Sequence, residues 1–355
     1  MKKIAILHYS LGGTGGLSRM STTLANYWVN QGHDVIRIGL DQPVIESPYF
    51  VDEKVVQTTL RKNKEVSTNK FSFSPTFIWR ITTTLIPNGL ITKKRLNKSL
   101  EDRDVIIVQN PLILKWLSKK NKQKTTLYLH HQYGGGALMG RLINFQKHTI
   151  NKKVKKVVCL DPKTEKILNN KFKNVEFKFI PNFLNGEMKP LKPKRQNITF
   201  MGRIAHIKNI DWIVAASKEI KNDIYIYGNI ADDYKKTWDS MEKPSNLKYM
   251  GRTNNALEVL ANSKIGLHTG SIEGYSLSMI ESACAGNLLV SAPSWDSFDE
   301  NIKDIMYIAN NKQEFISQLK KAIEAPLPTK KQVDRIKEYY SFERYIQILE
   351  GYIFT

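Results

Sequence analysis

Cysteine is nearly absent: Cys159 and Cys284 are the only two in 355 residues. They sit in apolar strand-like and helix-like contexts with no metal-ligand spacing around them. Neither a disulfide framework nor a cysteine-built metal site is expected, and a reduced, cytoplasmic setting fits. No run of about 18 apolar residues occurs, so no transmembrane helix is expected. The opening stretch MKKIAILHYSLGGTGGLSRM ends its short apolar run in glycines without a small-residue cleavage pattern. It reads as a first strand rather than a signal peptide. Short-period repeats and low-complexity tracts are missing too. What remains is 41% hydrophobic and 25% charged, a globular composition whose length suits two domains better than one core.

Acidic residues are scarce in the first half. Residues 1–180 hold 31 Lys and Arg against 12 Asp and Glu, whereas the remainder holds 23 against 21, so nearly all of the net charge of +21 lies in the first half. Clusters such as Lys93-Lys94-Arg95-Lys98 and Lys152-Lys153-Lys155-Lys156 could face anionic lipid, nucleic acid or an anionic polymer. A lysine-rich chain that merely solvates its helices gives the same surplus. No RNA- or DNA-binding module is recognisable, and no basic stretch is interleaved with aromatics, so no nucleic-acid partner is expected.

Short apolar runs alternate with helical periodicity. Lys3–Tyr9, Asp34–Leu40, Asp104–Gln109, Thr125–His130 and Lys156–Leu160 read as strands, and Leu17–Asn30 as a helix closed by Gly32. Pro181, Gly186, Pro190 and Pro193 then break the pattern. It restarts with strands at Asn197–Met201, Ile224–Tyr227 and Ile265–His268 and helices at Asp211–Lys221 and Ala256–Ala261. The expected architecture is α/β, with two doubly wound, Rossmann-like domains. Residues 1–180 form the first, 181–196 a linker and 197–335 the second.

Three stretches could carry chemistry. Gly12-Gly13-Thr14-Gly15-Gly16 lies between the first strand and its helix, where bared amides suit a phosphate or a closely approaching sugar; a tight turn needing glycine for packing alone reads the same way. Met201-Gly202-Arg203 with Lys208-Asn209 places two cations five residues apart on one loop. They could grip a diphosphate, Arg as a planar fork and Lys as a point charge, or simply be solvated. The most specific stretch is Glu273-Gly274-Tyr275-Ser276-Leu277-Ser278-Met279-Ile280-Glu281, running from a loop into a helix. Amides from Gly274 to Leu277 could face an anion, with carboxylates on either side able to hold vicinal hydroxyls. Two unrelated surface glutamates would give the same letters. Asp232-Asp233 reads as a solvated turn, and no D-x-D metal site is evident.

Taken in order, these residues resemble the retaining GT-B glycosyltransferases of family GT4 (glycosyl transferases group 1). Glu273 to Glu281 followed by Ser282-Ala283-Cys284-Ala285-Gly286 is similar to that family's EGFGLPxxEAMAxG signature, and Gly202-Arg203 with Lys208-Asn209 to its GRxxxxKN element. Gly15-Gly16-Leu17-Ser18-Arg19 through Leu24-Ala25-Asn26 to Gly32-His33-Asp34-Val35 keeps the spacing of GGAER, LA and GHEV. Asp161 to Leu168, Pro181-Asn182, Tyr227-Gly228, Gly251 and Tyr339-Tyr340-Ser341-Phe342 are further echoes, so the likeness spans almost the whole chain.

The resemblance implies that Arg203 and Lys208 contact a donor diphosphate, Glu281 the ribose and Glu273 the transferred sugar. Gly15 and Gly16 would let the backbone approach, and His130, or His131 beside it, would touch the sugar. Gly202, Gly228, Gly274, Tyr275, Ser276 and Leu277 complete the expected donor site. It further implies retaining, metal-independent transfer of a hexose or N-acetylhexosamine from a nucleotide sugar, UDP-linked by default, with no cofactor or metal. The acceptor would be a lipid-linked glycan or an anionic cell-surface polymer at the inner face of the membrane. Residues 336–355 would pack back on the first domain. Ser18, Ser276 and Ser278 depart from the family's Glu, Gly and Pro, which bears on the donor sugar. The alternative is a catalytically silent GT-B sugar-binding protein, since fold alone does not establish transfer.

Overall fold

The computed structural model describes residues 1–12, 15–40, 47, 49–60, 87–130, 154–189, 194–270, 275–292 and 300–355, with the backbone alone at 87–91. The strands among them form two sheets, parallel throughout. The first contains β1 (Lys3–His8), β2 (Asp34–Gly39), β3 (Val56–Thr59), β4 (Val105–Val108), β5 (Thr125–Leu129), β6 (Lys156–Cys159) and β7 (Glu176–Phe179), in the order β3-β2-β1-β4-β5-β6-β7. The second contains β8 (Asn197–Met201), β9 (Ile224–Tyr227), β10 (Leu247–Gly251), β11 (Ser263–His268), β12 (Leu288–Ser291) and β13 (Met306–Ile308), in the order β10-β9-β8-β11-β12-β13. Both are doubly wound. Each reverses direction beside its first strand, at β1/β4 and at β8/β11, and ligands of such sheets collect at the carboxyl ends of the strands at that point.

Local sequence explains the layers. In β1 the residues Ile4, Ala5, Ile6 and Leu7 are all buried, because helices cover both faces of the sheet. Ile4 and Ile6 join a core with Met20, Leu24 and Trp28 from the helix Gly16–Asn30, while Ala5 and Leu7 face Leu96, Leu100 and Ile113 on the other side. That helix ends where Gly32 takes φ +80°. The His33 amide then reaches back to the Trp28 carbonyl at 3.0 Å, which satisfies an end carbonyl and turns the chain into β2.

The chain leaves the first sheet after β7 and returns to it at its end. The helix Phe342–Ile353 lies on the first sheet's layer: the Trp28 indole donates to Glu350 at 2.8 Å, and the Tyr352 hydroxyl accepts from the Val157 amide at 3.0 Å and donates to the Glu176 carbonyl at 2.6 Å. The outgoing and returning segments are laced together. The Leu184 amide donates to the Tyr340 carbonyl at 2.8 Å, and the Phe183 ring packs between Phe342 and Tyr345, with centroids 4.8 and 4.5 Å away.

Candidate functional site

A cleft of about 580 Å³ opens where the carboxyl ends of the two sheets face each other. Its walls bring together Gly15, Gly16, His130, Gly202, Arg203, Lys208, Tyr275, Ser276, Leu277 and Glu281. Gly228 does not line it. Glu273, Gly274 and His131 lie outside the described residues.

Arg203 follows β8 on a loop fixed from both sides. The Gly202 amide donates to the Tyr227 carbonyl and the Ile204 amide to Asn229, both at 3.0 Å. The turn after β9 therefore holds the residues flanking Arg203. Gly228 in that turn has φ +144°, and a Cβ there would lie 1.9 Å from the Gly202 carbonyl oxygen. Its absence of side chain is what lets the two loops touch.

Lys208 is clamped differently. Asn209 takes φ +43°, the one non-glycine residue of positive φ among those described, and asparagine is among the few side chains that tolerate it. In that pose its amide donates to the Thr269 carbonyl at 2.8 Å, while the Thr269 hydroxyl donates to the Lys208 carbonyl. The loop after β8 is thus tied to the end of β11, across the reversal point. Burial, and then the charge of Arg203, push the Lys208 ammonium down to about 8. Two cations held in one cleft raise each other's cost, and an arriving anion relieves it. Beneath them His268 is buried, and burial followed by the Lys208 charge push it down to about 3, so it stays neutral.

The helix Leu277–Cys284 begins at Ser276 with no side-chain cap; the Ser276 hydroxyl instead meets that of Ser278 at 2.9 Å. Its first amides therefore remain available at the cleft wall, where helix geometry favours negative charge. The same applies across the cleft. The helix Gly16–Asn30 starts after Gly15 with no side-chain cap and no acid in its first turn. A Cβ on Gly16 would lie 3.0 Å from the Leu277 side chain, so the two helix starts come close here.

Glu281 is 3% exposed and takes an ion pair from Arg19 of the first domain. Burial raises its carboxyl pKa, and the Arg19 charge and hydrogen bond oppose that rise. His130 follows β5 with its Nε2 against the Gln109 Oε1, and its ring stacks on Tyr128 at 5.9 Å. Asn182 crosses between the domains, donating to the Tyr275 carbonyl at 2.6 Å. Arg19 and Asn182 line the cleft but receive no site role from sequence reasoning. For Arg19 a signal existed: it is a cation at the start of a helix, where the macrodipole disfavours one. Among the described residues no group of three or more His, Cys, Asp or Glu could hold a metal ion, and no helix is long and apolar enough to cross a membrane.

Residues 195–325 match the family model described as Glycosyl transferases group 1. The chain is 26% identical over 375 residues to an uncharacterized glycosyltransferase of Haemophilus influenzae, across 99% of both. Its fold superposes on Anabaena HepE in complex with UDP and glucose with a TM-score of 0.72, at 11% identity over 99% of each chain. It superposes equally, TM-score 0.72, on a variant of S. aureus TarM in complex with fondaparinux, α-GlcNAc-glycerol and UDP, at 13% identity over 100% of each. The architecture is that of a GT-B protein.

Proposed function

We propose that this protein is a retaining glycosyltransferase of the GT4 type that moves a hexose or N-acetylhexosamine from a UDP-sugar to a glycan or lipid-linked acceptor. One observation carries the reading: Arg203, Lys208, the uncapped start of Leu277–Cys284 and Glu281 converge on one interdomain cleft. That set complements a nucleoside diphosphate, with anion-binding groups for the phosphates and a carboxylate for ribose hydroxyls. UDP as the nucleotide is supported by its presence in both the HepE and TarM complexes.

In this mechanism the acceptor hydroxyl attacks the anomeric carbon from the face the nucleotide leaves. The bond from that carbon to the phosphate oxygen breaks, and the departing oxygen takes the acceptor's proton. Arg203 and Lys208 stabilise the charge left on the diphosphate. Glu273 and His130, with His131 beside it, position the sugar. Gly15 and Gly16 let the first domain's backbone come close, Gly202, Tyr275, Ser276 and Leu277 form the wall around the diphosphate, and Gly274, outside the described residues, is proposed to bind the donor with them. Gly228 acts from behind by holding Arg203.

The test is ligand-dependent thermal stability with UDP, GDP and ADP on wild type and Glu281→Ala, followed by UDP release from a panel of UDP-sugars. A nucleotide at 100 times its Kd stabilises by about 2.7 kcal/mol. UDP is expected to raise the wild-type midpoint and to raise that of the variant far less. No shift with any nucleotide would sink the reading.

The acceptor is proposed to lie at an anionic surface of the membrane. Lys93, Lys94, Arg95 and Lys98 are exposed on one helix, with Lys119 and Lys120 exposed on the next. Asn97 joins the two, donating to the Trp116 carbonyl at 2.9 Å and accepting from the Ser118 amide at 2.6 Å. Such a face is expected to bind anionic vesicles and to let go as salt rises; equal binding to neutral vesicles would refute it.

A further inference from the structure

The pairing of Arg19 with Glu281 points beyond that reading, on which it rests. We infer that Arg19 is a phosphate-binding residue contributed by the first domain. It is stored on the ribose carboxylate until a nucleotide displaces it.

Three observations converge. First, the pair joins residues 262 positions apart, one in each domain, and both line the cleft. While Arg19 holds one oxygen of Glu281, fewer of the carboxylate's lone pairs are left for a ribose. Second, the guanidinium is only partly used. Nη2 meets Glu281, while Nε is buried without a hydrogen-bond partner among the described residues, so a donor of the guanidinium is unused by the pair. Third, Arg19 stands in the first turns of a helix that has no cap and no acid, where its charge opposes the dipole and the open amides call for an anion.

A nucleoside diphosphate satisfies all three at once. Its ribose takes Glu281, and the freed guanidinium swings to the phosphates on the same wall, where a planar fork can hold two oxygens. An interdomain contact made by protein alone is exchanged for one made through the ligand. Donor binding and the approach of the first domain are thereby coupled at a single side chain.

The experiment compares uridine and UDP on wild type, Arg19→Ala and Arg19→Lys, with affinities from calorimetry or ligand-observed NMR and folding checked by thermal midpoint. Uridine has the ribose but no phosphate, so it reads the competition alone. Arg19→Ala is expected to bind uridine several-fold more tightly, because Glu281 is free. The preference for UDP over uridine is expected to shrink by about tenfold or more, the scale of a charge-assisted phosphate contact. Arg19→Lys should restore part of that preference. An unchanged preference, or uridine affinity that does not rise, overturns the inference while leaving the transferase reading intact. A wild type that binds no nucleotide overturns both.

Discussion

Lys208→Ala is expected to lower turnover about 10²- to 10³-fold, the range seen when one group that stabilises a transition-state charge is removed. The loss should fall on turnover rather than on folding. The Lys208 ammonium is pushed down to about 8 chiefly by burial, so the folded protein holds a cation in a place that disfavours one. The contacts that shape the loop run through the Lys208 backbone carbonyl and through Asn209, and these survive the substitution. The thermal midpoint without ligand should therefore not fall. The pH dependence follows the same sign. A lysine whose pKa is lowered keeps its charge below about 8 and loses it above, so kcat/KM for the wild type should decline as pH rises through that value. Lys208→Ala should lack this limb. Near-normal turnover in the variant would remove Lys208 from the chemistry.

Among the described glycines of the second domain, Gly228→Ala is expected to be the most damaging. The new Cβ would sit 1.9 Å from the Gly202 carbonyl oxygen and 2.7 Å from its carbon, at φ +144°. Both obstacles are backbone, so no rotamer change relieves them, and the loop that carries Arg203 must move. Overpacking combined with backbone strain puts the expected loss at about 4 kcal/mol or more, read as a midpoint roughly 10 °C lower. Gly202→Ala is the control. Its Cβ would meet only the Phe200 ring, at 3.4 Å, so stability should change little. Equal midpoints for the two variants would show that the loops do not depend on this contact.

How much of this was legible in the sequence depends on how far apart the interacting parts lie. β1 is a continuous apolar run and β8 carries buried Ile198 and Phe200 about Thr199, and these patterns locate both strands to within a residue or so. β3 and β10 carry no such signal. Val56 in the one and Tyr249 and Met250 in the other are exposed at sheet edges, so neither alternation nor a continuous apolar run marks them. Arg203 and Lys208 are legible because a single loop carries both. The reason Lys208 is followed by Asn209 is not, since the partner Thr269 lies 60 residues further on and is brought near only by the order of β8 and β11. The same holds for Arg19, whose partner is separated from it by most of the chain. Local pattern identifies the loops that face a cleft, while the clamps that aim them belong to the sheet order.

The return of the chain's end to the first sheet has a consequence for biosynthesis. Trp28, Tyr128 and Val157 find their partners in Glu350, Tyr345 and Tyr352, so the second domain is in effect an insertion between two parts of the first. On a ribosome the earlier part emerges with one flank uncovered and must wait for the whole of the second domain to be made. The nascent first domain thus exposes apolar surface to association until residues 342–353 have been made and can cover that flank. A fragment ending at residue 180 correspondingly lacks the helix Phe342–Ile353 that packs on its sheet.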